Sequence, residues 1–362
     1  MRGLKGLAVG MLGALMVFGA AAAEGSTEAA LRWDVRAGCG ATELKWLSDY
    51  NPHLKDTAYD APVYVMRGSE KGARLLVFAG THAREIAGPL SLTLLLENGR
   101  VTSGTLFVVP CLNSAAMATA DTLGQVPHEL KMSGRFGTRV FYYGDRLIPL
   151  RSGEKDPERF VHRSGYVHKK GAEWRNINRN YPGVADGTPA QRICRAVMEL
   201  IGREKIVSCL DVHEATAPEA VVDPRDGKTY DGGDLAYSLI THPKYVDRCF
   251  EMIMALEARG VRLKAEVSVP GFRGISHYEI GEATDCVPFL SETPNPAQNE
   301  HAVGIDALRD RRHPIEERVG IVMEILREWF GRCQEFFGAP FVIEGLPGKE
   351  RVESDGLQGW LY

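Results

Sequence analysis

The sequence predicts an α/β fold with a mixed, mainly parallel central sheet flanked by helices. Apolar runs typical of strands alternate with helix-like segments over about 270 residues, as in proteins whose helices cover a parallel sheet. The run 74–79 is almost continuously apolar, which indicates a strand buried on both faces. Together with a helix over 85–96 and a strand over 105–110, it forms a β-α-β unit.

The other elements follow in the same alternation. A strand over 62–66 precedes a turn at 68–72, and the stretch 113–187 has no regular periodicity. Loops of that length inside a compact domain are usually functional. The later predicted elements are a helix over 189–203 capped by Thr188, a strand over 206–212, a helix over 245–259, strands over 263–269 and 286–291, and a long amphipathic helix over 316–337.

The amino terminus has the pattern of an export signal. Arg2 and Lys5 precede an apolar stretch, and 21–23 are alanines suited to cleavage. We therefore expect a signal peptide at 1–23, a catalytic domain at 24–338 and a carboxyl-terminal tail at 339–362. The expected location is the periplasm or the medium, with no stable insertion in a membrane.

The composition argues against two classes of protein, nucleic-acid-binding proteins and disulfide-stabilised scaffolds. The chain has 43 basic and 47 acidic residues, a net charge of −4, and no basic run interleaved with aromatic residues, so we expect no nucleic-acid partner. Its 7 cysteines are scattered, and several lie in apolar runs. This favours buried thiols over a disulfide scaffold. The oligomeric state stays open.

His82 and Glu85 are the first candidate metal ligands. On a helical turn, positions i and i+3 face the same side, and imidazole and carboxylate are both zinc ligands. His213 follows a predicted strand and could be the third ligand, with Asp211 or Glu214 holding its ring. A surface pair on a helix is the alternative interpretation for His82 and Glu85 taken alone.

Two more sites lie where α/β sheets place catalytic groups, beyond the carboxyl ends of strands. Glu292 ends an apolar run and could be a general base whose pKa is raised by desolvation. Arg179 offers a planar fork for a substrate carboxylate, and Asn178 can add a hydrogen bond. His162, His168 and His277 lie in segments near this cleft and could line it.

In order, these motifs resemble the zinc carboxypeptidase (carboxypeptidase A-like) superfamily over about residues 62–295. They are also similar to murein peptide amidases and to cell-shape peptidases that shorten muropeptides. The resemblance implies one zinc ion held by His82, Glu85 and His213, with Glu292 as the general base. It implies that Asn178 and Arg179 grip the terminal carboxylate of the substrate.

The resemblance implies further roles. Arg163 is expected to polarise the scissile carbonyl, with Arg175 and Arg159 as rivals. Arg84 is expected to face the cleft, and Tyr278 to correspond to the family's flexible tyrosine.

The function so implied is zinc-dependent hydrolysis of an amide bond in a peptide, most specifically a peptidoglycan stem peptide. One alternative is an N-acyl-amino-acid deacylase of the succinylglutamate desuccinylase and aspartoacylase type. A second is a non-catalytic zinc-binding or peptidoglycan-binding protein on the same fold.

Overall fold

The computed structural model describes residues 33–36, 40–124 and 126–362. The signal peptide expected at 1–23 lies outside the described residues. Most of the described chain is built around a nine-stranded sheet with helices on both faces. The predicted fold class, a mixed and mainly parallel sheet between helices, is confirmed.

The strands lie close to the predicted positions, and several short ones are new. Those of the large sheet are β1 Glu43–Trp46, β2 Pro62–Arg67, β3 Glu70–Ala79, β4 Arg100–Val109, β9 Ser208–Thr216, β12 Ser238–Thr241, β13 Lys264–Val267, β14 Val287–Asn295 and β15 Val342–Glu344. Three separate hairpins are formed by β5 Glu129–Gly134 with β6 Gly137–Tyr142, β7 Phe160–Val161 with β8 Val167–His168, and β10 Val221–Val222 with β11 Thr229–Tyr230.

Eight α-helices lie within the described residues. They are α1 Ala87–Asn98, α2 Ser114–Met117, α3 Pro189–Arg203, α4 Val246–Glu257, α5 Ser276–Ala283, α6 Ile315–Gly331, α7 Cys333–Phe337 and α8 Lys349–Asp355. Helix α3 has the predicted bounds, because the Thr188 hydroxyl accepts a hydrogen bond from the Gln191 amide and the Gln191 side chain accepts one from the Thr188 amide.

The centre of the sheet is parallel and its flanks are mixed. Strands run in the order β1-β2-β4-β3-β9-β14-β12-β13, and β15 pairs with β4. Pairs β4-β3, β3-β9 and β9-β14 are parallel, whereas β2-β4 and β14-β12 are antiparallel. The carboxyl ends of β3, β9 and β14 therefore meet at one edge of the sheet.

Apolar side chains fill both faces of this sheet. One core includes Leu90 and Leu94 of α1, Cys249 of α4 and Trp329 of α6, all buried. The other core includes Ile193 and Leu200 of α3 and lies against the opposite face. Burial of these apolar surfaces on both faces is the main favourable contribution to folding of the sheet and helices.

Several predicted boundaries differ from the structure, among them those of β9 and β14, which continue to Thr216 and Asn295 rather than ending at 212 and 291. Helix α1 begins at Ala87 rather than at 85, so His82 and Glu85 lie in the turn before it, where the Glu85 amide donates to the His82 carbonyl at 3.1 Å. The helix predicted over 316–337 is divided at Arg332 into α6 and α7. The stretch 113–187 contains α2 and two hairpins rather than loop alone.

The tail at 339–362 packs against the sheet and helices described above. Strand β15 adds to the sheet beside β4, and α8 packs on α6. Cysteines within the described residues are free and buried, as the scattered pattern predicted. No helix among residues 33–36, 40–124 and 126–362 is both long and apolar enough to cross a bilayer.

A buried ion pair between β6 and α1 also contacts the end of the tail. We expect its loss to lower the free energy of unfolding. Arg139 of β6 and Glu97 of α1 are fully buried and 2.9 Å apart, and Glu97 also accepts from the Tyr362 amide. Arg139→Met should lower the free energy of unfolding by about 3–5 kcal/mol, because it leaves a buried carboxylate without its partner. Chemical denaturation measures this.

The matched control is Arg100→Met, because Arg100 pairs with Glu344 at the surface, where both side chains are more than half exposed. Exposed pairs contribute about 0–1 kcal/mol. Equal losses of unfolding free energy in the two variants would contradict a larger contribution of the buried pair to stability.

Candidate metal centre and active site

The carboxyl ends of β3, β9 and β14 carry the candidate site. Gly80 adopts φ +63°, and a Cβ there would lie 2.9 Å from the Cys111 Cα, so glycine is required where the chain turns out of β3 toward His82. His213 of β9 lies beside Glu292 of β14 in the strand register. Residues far apart in sequence are thereby brought to one place.

Glu85 lies between the two histidines. Its carboxylate oxygens are 2.7 Å from His82 Nδ1 and 2.8 Å from His213 Nδ1, and all three side chains are buried. One ligand atom from each of the three residues lies within 4.8 Å of those of the other two. The group could therefore hold a metal ion, and its two imidazoles and one carboxylate suit zinc.

The far nitrogen of each ring faces a side-chain oxygen. His82 Nε2 is 3.0 Å from Asn176 Oδ1, and His213 Nε2 is 3.0 Å from Asp211 Oδ1 but does not meet hydrogen-bond geometry there. Asp211 accepts hydrogen bonds from the hydroxyls of Thr81 and Ser276. Both Nε2 atoms thus face outward while both Nδ1 atoms point inward toward Glu85, which is the arrangement that metal-binding histidines require.

The structure distinguishes the two carboxylates that the sequence offered as partners of His213. Asp211 contacts the ring, whereas Glu214 accepts a 2.6 Å bond from Arg318, both fully buried, and a 3.0 Å bond from the Ala87 amide at the start of α1. The Glu214 amide donates to Glu85 at 3.2 Å. Glu214 therefore holds Glu85 through its backbone amide and holds the start of α1 through its carboxylate.

The buried ligands influence one another's protonation. Burial lowers the pKa of His82 to about 4, so its ring is neutral near pH 7. Burial would raise the pKa of Glu85, but its interactions and hydrogen bonds with the His82 and His213 rings hold that pKa well below its usual range. Burial opposes the charged form of His213, yet Asp211 and Glu85 raise the pKa of His213 well above its usual value.

Glu292 has the properties expected of a general base. Its pKa is raised to about 8, chiefly by burial; the charges of Glu85 and Asp211 add to this effect, and His213 opposes it. The side chain keeps some exposure, while its Oε2 atom is buried without a hydrogen-bond partner. Such a carboxyl can exchange a proton with a reacting group at near-neutral pH.

Asn178 and Arg179 lie next to this centre. Asn178 Oδ1 accepts a 2.7 Å bond from the Ser276 amide, which leaves its NH₂ group as a donor. The Arg179 guanidinium is 3.5 Å from Glu173 and lies over the Phe272 ring at 4.8 Å. Burial lowers the pKa of Arg179 to about 10, and the Glu292 charge acts on it, so it is a cation close to the base.

Arg146 is a site residue that sequence reasoning missed. Its charge acts on His82, Glu173, Arg179 and Glu292, and lowers the pKa of Glu292 against the effect of burial. It lies in the stretch 113–187, which had no periodicity from which to infer contacts. The only available signal was an arginine directly after Asp145 in a long stretch without regular pattern.

The contacts of three further predicted residues are as follows. Arg163 is exposed and donates to the Gly183 carbonyl, and its rivals are an exposed Arg159 and an Arg175 paired with Asp156. Arg84 is buried 2.6 Å from Asp121 and 3.3 Å from Asp145. Tyr278 is buried on α5, with its ring 5.1 Å from that of His242.

These contacts bear on the expected roles. Arg84 already has two carboxylate partners, and Tyr278 is held on a helix rather than on a loop. The charge of Arg163 acts on His162, whereas it is Arg146 whose charge acts on His82 and Glu292. Their assignment to substrate binding and catalysis receives no support from this geometry and stays a prediction.

No family model and no curated protein matches the sequence. Among solved structures, the cell shape determinant Csd4 of Helicobacter pylori matches with 14% identity and a TM-score of 0.47, covering 78% of this chain and 55% of that one. The ectoine utilization protein EutE of Ruegeria pomeroyi matches with 17% identity and a TM-score of 0.43, covering 79% and 64%.

A succinylglutamate desuccinylase from Silicibacter matches with 18% identity and a TM-score of 0.43, covering 79% of this chain and 64% of that one. The chain thus spans less than two thirds of the length of these proteins.

Zinc binding at pH 7 should release at least one proton. The pKa of His213 is raised in the metal-free protein, so the ring carries its second proton there, whereas a metal ligand must be neutral. Calorimetric titration with zinc in buffers of different ionisation enthalpy counts the protons released.

The number of protons released on zinc binding should be smaller in Glu292→Gln. With a pKa of about 8, Glu292 is mostly protonated at pH 7, and it would lose that proton beside a dication. Binding without any proton release in the unchanged protein would contradict the protonation of His213.

Proposed function

We propose that this protein is an exported zinc-dependent hydrolase that cuts an amide bond of a peptide beside a free carboxylate. The proposal rests on the observation that three groups meet at one edge of the sheet. They are the buried His82, Glu85 and His213 cluster, Glu292 beside His213, and the Arg179 cation within reach of the Glu292 charge. Metal ligands, a general base and a cation that binds the substrate carboxylate are the groups that such a reaction needs.

Zinc held by His82, Glu85 and His213 would supply a Lewis acid that polarises the amide carbonyl and acidifies water. Glu292 would take a proton from the attacking water and return it to the leaving amine. Its Oε2 atom has no other partner, and its raised pKa allows both transfers near neutral pH. This is hydrolysis without a covalent intermediate on the protein.

Arg179 would bind the substrate carboxylate with its planar fork, and Asn178 would donate its NH₂ group to the same carboxylate. Glu173, 3.5 Å from Arg179, balances that cation in the absence of substrate. Fixing one end of the substrate orients the scissile bond toward Glu292 and lowers the entropic cost of reaction.

Arg146, rather than Arg163, would stabilise the negative charge that develops on the carbonyl oxygen. Its charge reaches both His82 and Glu292, so it lies near the reacting atoms, while the Arg163 guanidinium is bound to the Gly183 carbonyl. A cation pre-oriented in a partly buried site is effective in this role.

The specific substrate we propose is a peptidoglycan stem peptide, which the enzyme would cut as a carboxypeptidase or amidase. This assignment rests on the sequence resemblance to murein peptide amidases and cell-shape peptidases. It also depends on the signal peptide expected at 1–23. Deacylation of an N-acyl amino acid would use the same residues and is tested by the same experiment.

Glu292→Gln should keep zinc but lose activity by at least about 10³-fold, because the amide cannot take the proton of water. The mature zinc-loaded protein is incubated with a muropeptide mixture and, separately, with N-acyl amino acids, and product masses are read. The matched control is Glu300→Gln, a surface glutamate outside the site.

Muropeptide products without deacylation support the peptidase, and the reverse result supports the deacylase. Full activity of Glu292→Gln would contradict the mechanism. Bound zinc with no hydrolysis of either substrate class would leave a binding protein as the function.

A further inference from the structure

His277 is a buried histidine that the mechanism above does not use. It lies in the first turn of α5 and is 6% exposed. Its Nδ1 atom is buried without a hydrogen-bond partner. A buried polar atom in this state is costly, so it indicates a position where a ligand group completes the hydrogen bond.

The start of α5 is fixed against the substrate-binding loop. The Ser276 amide donates to Asn178 Oδ1 at 2.7 Å, and the Ser276 hydroxyl donates to Asp211 at 2.6 Å. Gly274 packs so closely that a Cβ there would lie 2.2 Å from the Arg179 carbonyl oxygen. His277 is therefore held at a set position beside the proposed carboxylate grip.

Arg179 is the permanent cation that acts on His277. Burial lowers the pKa of His277 to about 3, and His213 of β9, Arg179 of the loop and His242 after β12 add to this effect. The ring is thus neutral near pH 7 and can donate from one nitrogen.

We propose that His277 recognises the side chain of the substrate residue held by Arg179, and that this side chain ends in a carboxylate. A neutral imidazole donor near the Arg179 cation favours an anionic acceptor, and Nδ1 has no partner among the described residues. The substrate residue would then be dicarboxylic, with one carboxylate on Arg179 and the other on His277. This inference rests on the proposed role of Arg179 and makes His277 a specificity-determining residue.

Two product-like probes test this proposal without turnover. Racemic glutamate and racemic norvaline have side chains of the same length, and only glutamate carries the terminal carboxylate. Their binding to zinc-loaded Glu292→Gln is measured by calorimetry. Glutamate should bind at least 10-fold more tightly than norvaline, and His277→Leu in this background should remove most of that preference.

Two companion variants separate recognition from folding. His277→Asn, which keeps a short polar donor, should restore part of the preference, and His53→Leu, at an exposed histidine, should leave it unchanged. Equal binding of the two probes by the unaltered His277 protein would overturn the proposal, whether or not His277→Leu folds. A preference that survives His277→Leu would also overturn it.

The test is independent of the proposed hydrolysis. If no amide substrate is cut but glutamate is still preferred through His277, the proposed function fails and the recognition by His277 stands. If amide substrates are cut and the two probes bind equally, the proposed function stands and the recognition by His277 is wrong.

Discussion

The site depends on one contact, the Glu85 carboxylate held between the Nδ1 atoms of His82 and His213. Burying an ionised carboxylate is unfavourable unless a positive group compensates it. In the metal-free protein the compensating charge is the protonated His213 ring, which also contacts Asp211. A dication could take the place of that proton, so a metal-free cluster of this kind is stable and still ready to bind metal.

The sheet determines which residues can meet at this contact. Parallel strands β3, β9 and β14 end at the same edge, and the strand register sets Glu292 beside His213. The stretch 113–187, which has little regular structure, supplies the rest through Asn176, which holds His82, and through Arg179. Strands thus fix His213 and Glu292, the turn after β3 carries His82 and Glu85, and the long stretch supplies the groups that face the substrate, as is usual in α/β proteins.

Sequence patterns predicted the parts of this arrangement that depend on local structure. The bounds of α3 follow from its cap at Thr188, and the apolar runs before His213 and Glu292 placed both residues on neighbouring strands, although β9 and β14 continue to Thr216 and Asn295. The start of α1 was missed because the turn at Glu85 is stabilised by contacts with distant residues, including the Glu214 amide. Arg146 was missed for the same reason, since no local pattern marks an arginine that reaches the site through tertiary folding.

The most direct test of the account is anomalous diffraction at the zinc edge from crystals of the zinc-loaded protein. The account predicts a single strong peak at this sheet edge, bonded to Nδ1 of His82, Nδ1 of His213 and the carboxylate of Glu85. Nitrogen distances should be about 2.0–2.1 Å, as in other zinc sites. Zinc bound elsewhere, or through the Nε2 atoms that contact Asn176 and Asp211, would contradict it.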